Sequence, residues 1–252
     1  KKIESAITSK TKAIMPVHLT GRVCEIDEII NIAKENNLYV IEDAAQSVCS
    51  KYKNKYSGSF GEIGCFSTHP LKNLNSCGDG GFITTNNEEI YNKIKKLKNH
   101  GLKDRDTAEF FGYVSRMDNL QAAILNFRIH KLENIIKKRR QNAKIYIEGL
   151  NSKKFFFPKE ENYQYNTYHT FVIQVDKRDE LKKYLFEHGV ETAIHYPIPI
   201  HLQPAAHLLS YKVGSFPIAE LQAKKILSLP IHQYLKNDEI EKIINLINSF
   251  PN

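Results

Sequence analysis

Long apolar runs are missing from this 252-residue chain; Ala122-Ala123-Ile124-Leu125 is as long as such stretches become. No segment is therefore long enough to cross a bilayer, and the chain is expected to have no secretory h-region ahead of the fold and to stay in the cytoplasm. Also missing is any Cys-x-x-Cys pair or any His at metal-finger spacing from the four cysteines, Cys24, Cys49, Cys65 and Cys77. That pattern points to reduced thiols and to no metal site. There is no internal repeat and no low-complexity linker, and 41% hydrophobic with 25% charged residues excludes disorder and a disulfide scaffold. An initiator Met is lacking too. The chain opens Lys1-Lys2-Ile3-Glu4 and a strand-like segment follows almost at once, so it is expected to be the remainder of a longer polypeptide.

What is abundant is positive charge. Thirty-six basic residues against 28 acidic ones give a formal +8 and raise the question of nucleic acid. Their distribution argues against it. The main clusters, Lys93, Lys95, Lys96, Lys98 and Lys137, Lys138, Arg139, Arg140, fall on helical stretches with periodic apolar positions and without interleaved aromatics. They are expected to be solvated helix faces. The balance instead favours a small anionic substrate through long-range steering.

Apolar period divides the chain. Ala13 to His18 reads as a strand, Ile26, Ile29, Ile30 and Ala33 as one helix face, and Tyr39 to Asp43 as a second strand. Cys65 to Ser67 and Gly81 to Thr85 read as two more buried strands, the latter leading to a helix capped by Asn86 with Ile90, Ile94 and Leu97 inward. Alternation of this kind predicts an α/β fold with a sheet covered by helices on both faces. Leu120, Ile124 and Phe127, then Leu132 and Ile136, keep helical spacing towards Gly149, with Asp118 as cap, and form the connector to a second part. There, Thr167 to Val175 reads as a strand, Leu181, Leu185 and His188 lie on a helix closed by Gly189, and a last helix capped by Asn237 turns Ile240, Ile243, Ile244 and Ile247 inward. The expected domains are 1–130 and 131–252.

Four segments carry more polar residues and glycine than packing requires. Asp43, in Glu42-Asp43-Ala44-Ala45-Gln46, sits at the carboxyl end of an expected buried strand, where open α/β sheets place ligands. A carboxylate there needs a cation or a protonated ring nitrogen; a helix-capping Asp is the plain alternative. In Cys65-Phe66-Ser67-Thr68-His69-Pro70-Leu71-Lys72-Asn73, a strand ends in hydroxyl residues and a lysine follows in a proline-broken turn. A partly desolvated lysine amine sheds its proton and can condense with an aldehyde or ketone, whereas an ordinary surface lysine would not. The run Gly78-Asp79-Gly80-Gly81 lacks the spacing of a dinucleotide or P-loop fingerprint and precedes a strand, so it is not read as a phosphate site. Arg116, in Gly112-Tyr113-Val114-Ser115-Arg116, is either an anion ligand or a solvated arginine. Asn99-His100-Gly101 is read as a helix end with Gly101 left-handed.

Six ordered segments then carry a likeness. Pro16-Val17-His18-Leu19, Ile41-Glu42-Asp43-Ala44-Ala45-Gln46, Gly58-Ser59-Phe60-Gly61, Cys65 to Leu74, Gly78-Asp79-Gly80-Gly81 and Ser115 to Leu125 together resemble the DegT family of pyridoxal-phosphate-dependent sugar-nucleotide aminotransferases. The resemblance runs from about Ala13 to the C-terminus, where His195-Tyr196-Pro197 and Leu227 to His232 are similar to the family's small domain. It implies a type I PLP-transferase fold: the remainder of a large domain plus a smaller C-terminal α/β domain. It also implies that Lys72 holds pyridoxal 5'-phosphate and shuttles a proton, that Asp43 accepts the pyridinium N–H, that Gln46 contacts the ring near its phenolic oxygen, and that Ser67 donates to the phosphate. His195 and Tyr196 would lie towards the substrate. His69 would help select it, unless it serves only the turn made by Pro70.

By the same resemblance the partners are an amino-acid donor, glutamate, and a nucleotide-diphosphate keto-deoxysugar, with a homodimer as the assembly and bacterial surface polysaccharide as the destination of the aminosugar. Two departures stand out. An asparagine that family members often place across the dimer interface is here Val114, with Arg116 the candidate replacement. The family's N-terminal phosphate turn and stacking aromatic have no counterpart in the sequence. Two other functions stay open: a non-catalytic regulator or scaffold on this fold, and a sugar dehydratase. In the latter class the lysine tends to be histidine, so Lys72 favours transfer.

Overall fold

The computed structural model describes residues 2–251. Contacts divide the chain into two units, one of residues 1–136 with 160–169, the other of 137–159 with 170–252. The return of 160–169 to the first unit is not signalled by the apolar period.

In the first unit, β1 (Ala13–Ile14) precedes α1 (Ile26–Glu35), whose Ile26 and Ala33 are buried while Asp27 and Glu28 complement the helix N-terminus. The strand expected to reach His18 is thus two residues long, with only an isolated bridge from Val17 to Asp43 continuing it. Pro16 has no N–H to offer a ladder, which accounts for the break. After β2 (Tyr39–Asp43) come β3 (Lys51–Tyr52) and β4 (Lys55–Tyr56), joined through Lys53 and Asn54, both left-handed at φ 48° and 64°, as a two-residue hairpin requires. Then follow β5 (Ile63–Ser67), β6 (Gly81–Thr84), α2 (Glu88–Leu97), α3 (Asn119–Ile129), α4 (Leu132–Gly149), which runs into the second unit, and β7 (Gln164–Tyr165).

The main sheet has the order β1-β2-β5-β6; β1, β2 and β5 are parallel and β6 is antiparallel. Val23 before α1, Ile26 and Ala33 on it, Val40 of β2 and Tyr52 of β3 form one buried core cluster. A smaller cluster, Leu74, Leu132 and Ile136, anchors the segment after Lys72. Several expectations change here. The strand β6 is not buried: Phe82 and Ile83 are exposed, because this strand forms the sheet edge. The cap of α2 is Asn87, whose Oδ1 accepts from the Ile90 N–H at 3.0 Å, and not Asn86. The single long connector is two helices, α3 and α4, and Leu120 and Phe127 face outward on α3. Asp118 stands at the N-cap of α3 without a side-chain capping bond.

The second unit continues with β8 (Phe171–Gln174), α5 (Arg178–Glu187), α6 (Pro217–Lys225), β9 (Ile226–Leu229) and α7 (Asn237–Ser249). Antiparallel β8 and β9 pair Phe171 with Leu229 and Ile173 with Leu227, so one face of the ribbon is apolar. Leu181 and Leu185 of α5 and Ile240, Ile243, Ile244 and Ile247 of α7 are buried, as the period predicts. His188 is exposed at the C-cap and Gly189 turns left-handed at φ 77°. Asn237 is the first residue of α7 and not its cap; the Glu239 carboxylate accepts from the Lys236 N–H at 2.8 Å. Among the described residues no helix is long and apolar enough to cross a membrane, no His/Cys/Asp/Glu group could hold a metal, and all four cysteines are free.

Candidate functional site

The parallel pair β2 and β5 ends with Asp43 opposite Cys65 and with Ser67 two residues further on. Both polar side chains therefore emerge at the carboxyl edge of the sheet, where no further strand residue covers them. Asp43 is fixed on both main-chain sides: its N–H donates to Pro16 O at 2.9 Å and its carbonyl accepts from the His18 N–H at 3.0 Å. One carboxylate oxygen accepts from the Ala45 N–H at 3.0 Å, turning the chain directly after the strand. Gln46 is half-buried, with its Oε1 accepting from the Thr20 N–H at 2.7 Å.

Lys72 closes the turn that begins at His69, donating its main-chain N–H to His69 O at 2.9 Å. Burial holds the Lys72 amine below the ordinary lysine range, and the nearby Asp43 charge opposes that shift only in part. Amine and carboxylate are thus close enough for their charges to interact. Ser67 Oγ accepts from the His69 N–H at 3.3 Å and keeps its own hydrogen free to donate. The exposed His69 ring accepts from the Leu71 N–H at 3.2 Å, which makes it a brace of the lysine turn. One buried hydroxyl in this loop, Thr68 Oγ1, has no hydrogen-bond partner. Such an orphan costs stability and is expected where a polar ligand completes the site.

Around the lysine the loop is closed by small-residue packing. Thr68 N–H donates to Gly80 O at 2.8 Å, and Ser76 Oγ donates to Thr68 O at 2.8 Å. A Cβ on Gly80 would lie 2.7 Å from Thr68 Oγ1, and one on Gly81 would lie 2.4 Å from Phe66 O. The glycine run therefore serves close approach of the chain to itself. From α3, Gln121 Oε1 accepts from the Cys77 N–H at 2.8 Å and Arg128 donates to Asn75 O at 2.8 Å. Asn73, buried next to Lys72, donates to Thr167 O at 3.2 Å.

Asp43, Gln46, Ser67, His69 and Lys72 are thus grouped at one end of the first unit's sheet. Arg116 is exposed and lines a cleft of about 590 Å³ at the end of α2 together with Lys95, Lys96, His100, Lys103 and Arg105. Val114 is exposed and bridges Asn99 through its backbone. At the end of α2, Gly101 is left-handed at φ 76°, as expected, and so is His100 at 61°. His195 and Tyr196 belong to the second unit; His195 Nδ1 lies 2.9 Å from Ser228 Oγ, and Tyr196 is exposed. Sequence reasoning missed the residues behind the site, His18, Thr20 and Glu42. His18 and Glu42 lie within segments that carried the likeness, but nothing in their spacing marks them as partners.

The arrangement can hold a small aldehyde-bearing aromatic ring with an anionic tail. A poised amine, a carboxylate able to accept from a ring N–H, an oriented side-chain amide and hydroxyls at the strand end match the donors and acceptors of pyridoxal phosphate. Comparison with known proteins agrees. Residues 1–248 match the profile of the DegT/DnrJ/EryC1/StrS aminotransferase family. A pleiotropic regulatory protein of Geobacillus stearothermophilus is 41% identical over 98% of this chain and 68% of its own length. The dTDP-3-amino-3,6-dideoxy-alpha-D-galactopyranose transaminase of Aneurinibacillus thermoaerophilus is 40% identical over 99% of this chain and 68% of its own. Among solved structures, S. venezuelae DesV in complex with a ketimine intermediate superposes with a TM-score of 0.94 at 34% identity, covering 98% of this chain and 67% of that one. The chain thus spans about two thirds of the length of these relatives.

Proposed function

Because the chain belongs to the DegT/DnrJ/EryC1/StrS aminotransferase family, we propose that it moves an amino group from an amino acid, glutamate, to the keto carbon of a sugar carried on a nucleoside diphosphate. The observation that carries this reading is the half-buried Lys72, set in the turn that follows β5 and close enough to Asp43, at the end of β2, for their charges to interact. Pyridoxal phosphate, when bound, supplies an aldehyde for attachment to an amine and an electron-poor ring that stabilises negative charge at the substrate carbon. Lys72 would be the residue that holds it, and its amine would serve as the base and acid for the proton at that carbon. The Asp43 carboxylate would accept the ring N–H and favour the cationic ring, and the Gln46 amide and the Ser67 and Thr68 hydroxyls would orient it. By the resemblance Lys72 also favours transfer over dehydration, because in the dehydratases that lysine tends to be histidine, and an amine can take a proton from one carbon and deliver it to another.

The +8 balance supports an anionic nucleotide sugar. Exposed Phe111, Tyr113, Leu120 and Phe127 support a homodimer. A cytoplasmic setting and use of the aminosugar in lipopolysaccharide or other surface polysaccharide complete the reading. The test adds pyridoxal phosphate to the chain and follows visible absorbance. A band that Lys72→Ala abolishes, and that glutamate bleaches, is the expected result; equal absorbance without Lys72 overturns the assignment. A regulatory role without turnover is the second reading, favoured by the name of the 41%-identical relative. It predicts a Lys72-dependent band that glutamate leaves unchanged.

A further inference from the structure

Behind the lysine site lies a buried pair that the transfer chemistry does not use. His18 and Glu42 are both fully buried, with Nε2 and Oε2 2.9 Å apart. Every other bond of the Glu42 carboxylate goes to main chain: Oε2 accepts from the Gly58 N–H at 2.6 Å, and Oε1 from those of Phe60 at 2.6 Å and Gly61 at 2.8 Å. The Cys24 N–H faces His18 Nδ1 at 3.4 Å, so the imidazole carries its hydrogen on Nε2 and donates to Glu42. A satisfied buried ionic cluster is weak evidence for stability as such, because apolar groups can often replace it. What it fixes in place is therefore the more informative question.

Two residues after His18 the chain enters left-handed space, Thr20 at φ 64° and Gly21 at φ 92°. A β-branched residue adopts this conformation only where its surroundings impose it, and such strain collects at functional sites. Neighbouring segments impose it here. Gly21 O accepts from Ser50 Oγ at 2.7 Å and from the Thr167 N–H at 2.9 Å, and a Cβ on Gly21 would come within 2.7 Å of Thr167 Oγ1. On the other side Pro16 and His18 bracket Asp43 through main-chain bonds of 2.9 and 3.0 Å. What the turn delivers is the Thr20 N–H, directed at Gln46 Oε1 at 2.7 Å. With its carbonyl committed, the Gln46 amide has only its N–H groups left for a ligand.

We infer that the left-handed Thr20–Gly21 turn, pinned by the His18–Glu42 pair, is a positioning device that makes Gln46 a donor only and holds it in register with Asp43. This deepens the aminotransferase reading and rests on it for its meaning: the phenolic oxygen of a pyridoxal ring accepts hydrogen bonds, and a flipped amide would present it with a second acceptor. His18 acts on the ligand only through Thr20 and Gln46.

The experiment has two arms. In the first, hydrogen exchange is measured on the chain with no ligand added. His18→Leu should speed exchange of the Thr20 amide by roughly tenfold while the amides of β2 keep their rates, and His18→Gln, which can both donate to Glu42 and accept from Cys24, should restore it. Gln46→Leu leaves the pair intact, removes the acceptor, and should expose the same amide; it decides the arm if His18→Leu does not fold. A Thr20 amide as protected in Gln46→Leu and His18→Leu as in the parent overturns the inference. The second arm adds pyridoxal phosphate. Gln46→Glu keeps an acceptor for Thr20 but has no donor, and should weaken binding roughly tenfold and shift the absorbance maximum. Unchanged affinity and spectrum in Gln46→Glu overturn the donor assignment. A parent chain without any Lys72-dependent band counts against the aminotransferase reading alone, and the exchange arm still decides the turn.

Discussion

A carboxylate without solvent contact must find its hydrogen bonds within the protein or lose its charge, and Glu42 finds four. Burial, the largest single influence, pushes its pKa up, but the His18 ring and the N–H groups of Gly61, Gly58 and Phe60 together bring it below the usual carboxylate value. A folded-state pKa below the unfolded one adds stability that is complete above the unfolded value, about 4.3, and is lost as the pH falls through the folded one. Glu42→Gln replaces one acceptor by a donor facing N–H groups and should cost about 3 kcal/mol at pH 7. That gap should begin to narrow below about pH 4.3, where the carboxylate of the unfolded parent takes up its proton, and should close as the pH falls through the lower folded-state value. Urea denaturation of both proteins from pH 3 to 7 measures it, and a gap constant over that range would refute the charge as its source. Asp43 was legible from the sequence and Glu42 was not, for a physical reason. Adjacent strand residues face opposite sides, so one carboxylate meets the open sheet edge and the other meets donors from Gly58 to Gly61 and from His18 that no local spacing reveals.

Elements with one complete apolar face were read correctly because a single partner layer decides them. On α1 and α7 the period and the burial coincide. The helix α3 carries apolar residues at the same spacing, yet Leu120 and Phe127 are exposed, and period alone cannot say whether a face is covered within the chain. Two adjacent asparagines blurred the start of α2, where only the bond from Ile90 to Asn87 decides the cap. The lysine loop depends on contacts that are distant in sequence. Its glycines are not read as a phosphate turn, yet nothing in their spacing explains them; Gly80 and Gly81 allow the close approach to Thr68 Oγ1 and Phe66 O where β5 and β6 pair at Ser67 and Gly81. Gly81→Ala places a methyl 2.4 Å from Phe66 O, so strand and loop must separate. The expected cost is about 2 kcal/mol of stability together with loss of the Lys72-dependent band, because Ser67 and Lys72 hang on that strand pair. Thermal unfolding read beside cofactor absorbance checks both; a normal band in a destabilised variant would detach the lysine from the β5–β6 register.

Charge acts on the chain as a whole. An excess of +8 over 252 residues guides a dianionic ligand from beyond contact distance, and the effect fades once the Debye length falls to about 8 Å at 0.15 M salt. Lys93 and Lys98 are exposed, make no ion pair among the described residues, and have no place in the lysine site. Reversing both to Glu takes the formal charge from +8 to +4 without touching Asp43, Gln46, Ser67 or Lys72. If steering is what the basic balance provides, the double variant should react with a nucleoside-diphosphate sugar at a kcat/KM lowered several-fold at low salt, with kcat unchanged and with the difference gone above about 0.3 M salt. A polynucleotide site on the same lysines would behave otherwise: binding of DNA or RNA would fall steeply with salt and with the charge reversal, while turnover of the nucleotide sugar would not respond. Stopped-flow turnover and polynucleotide titration of the same two proteins therefore tell a guiding field from a contact surface, and a salt-independent kcat/KM in both would remove the charge excess from the account of function.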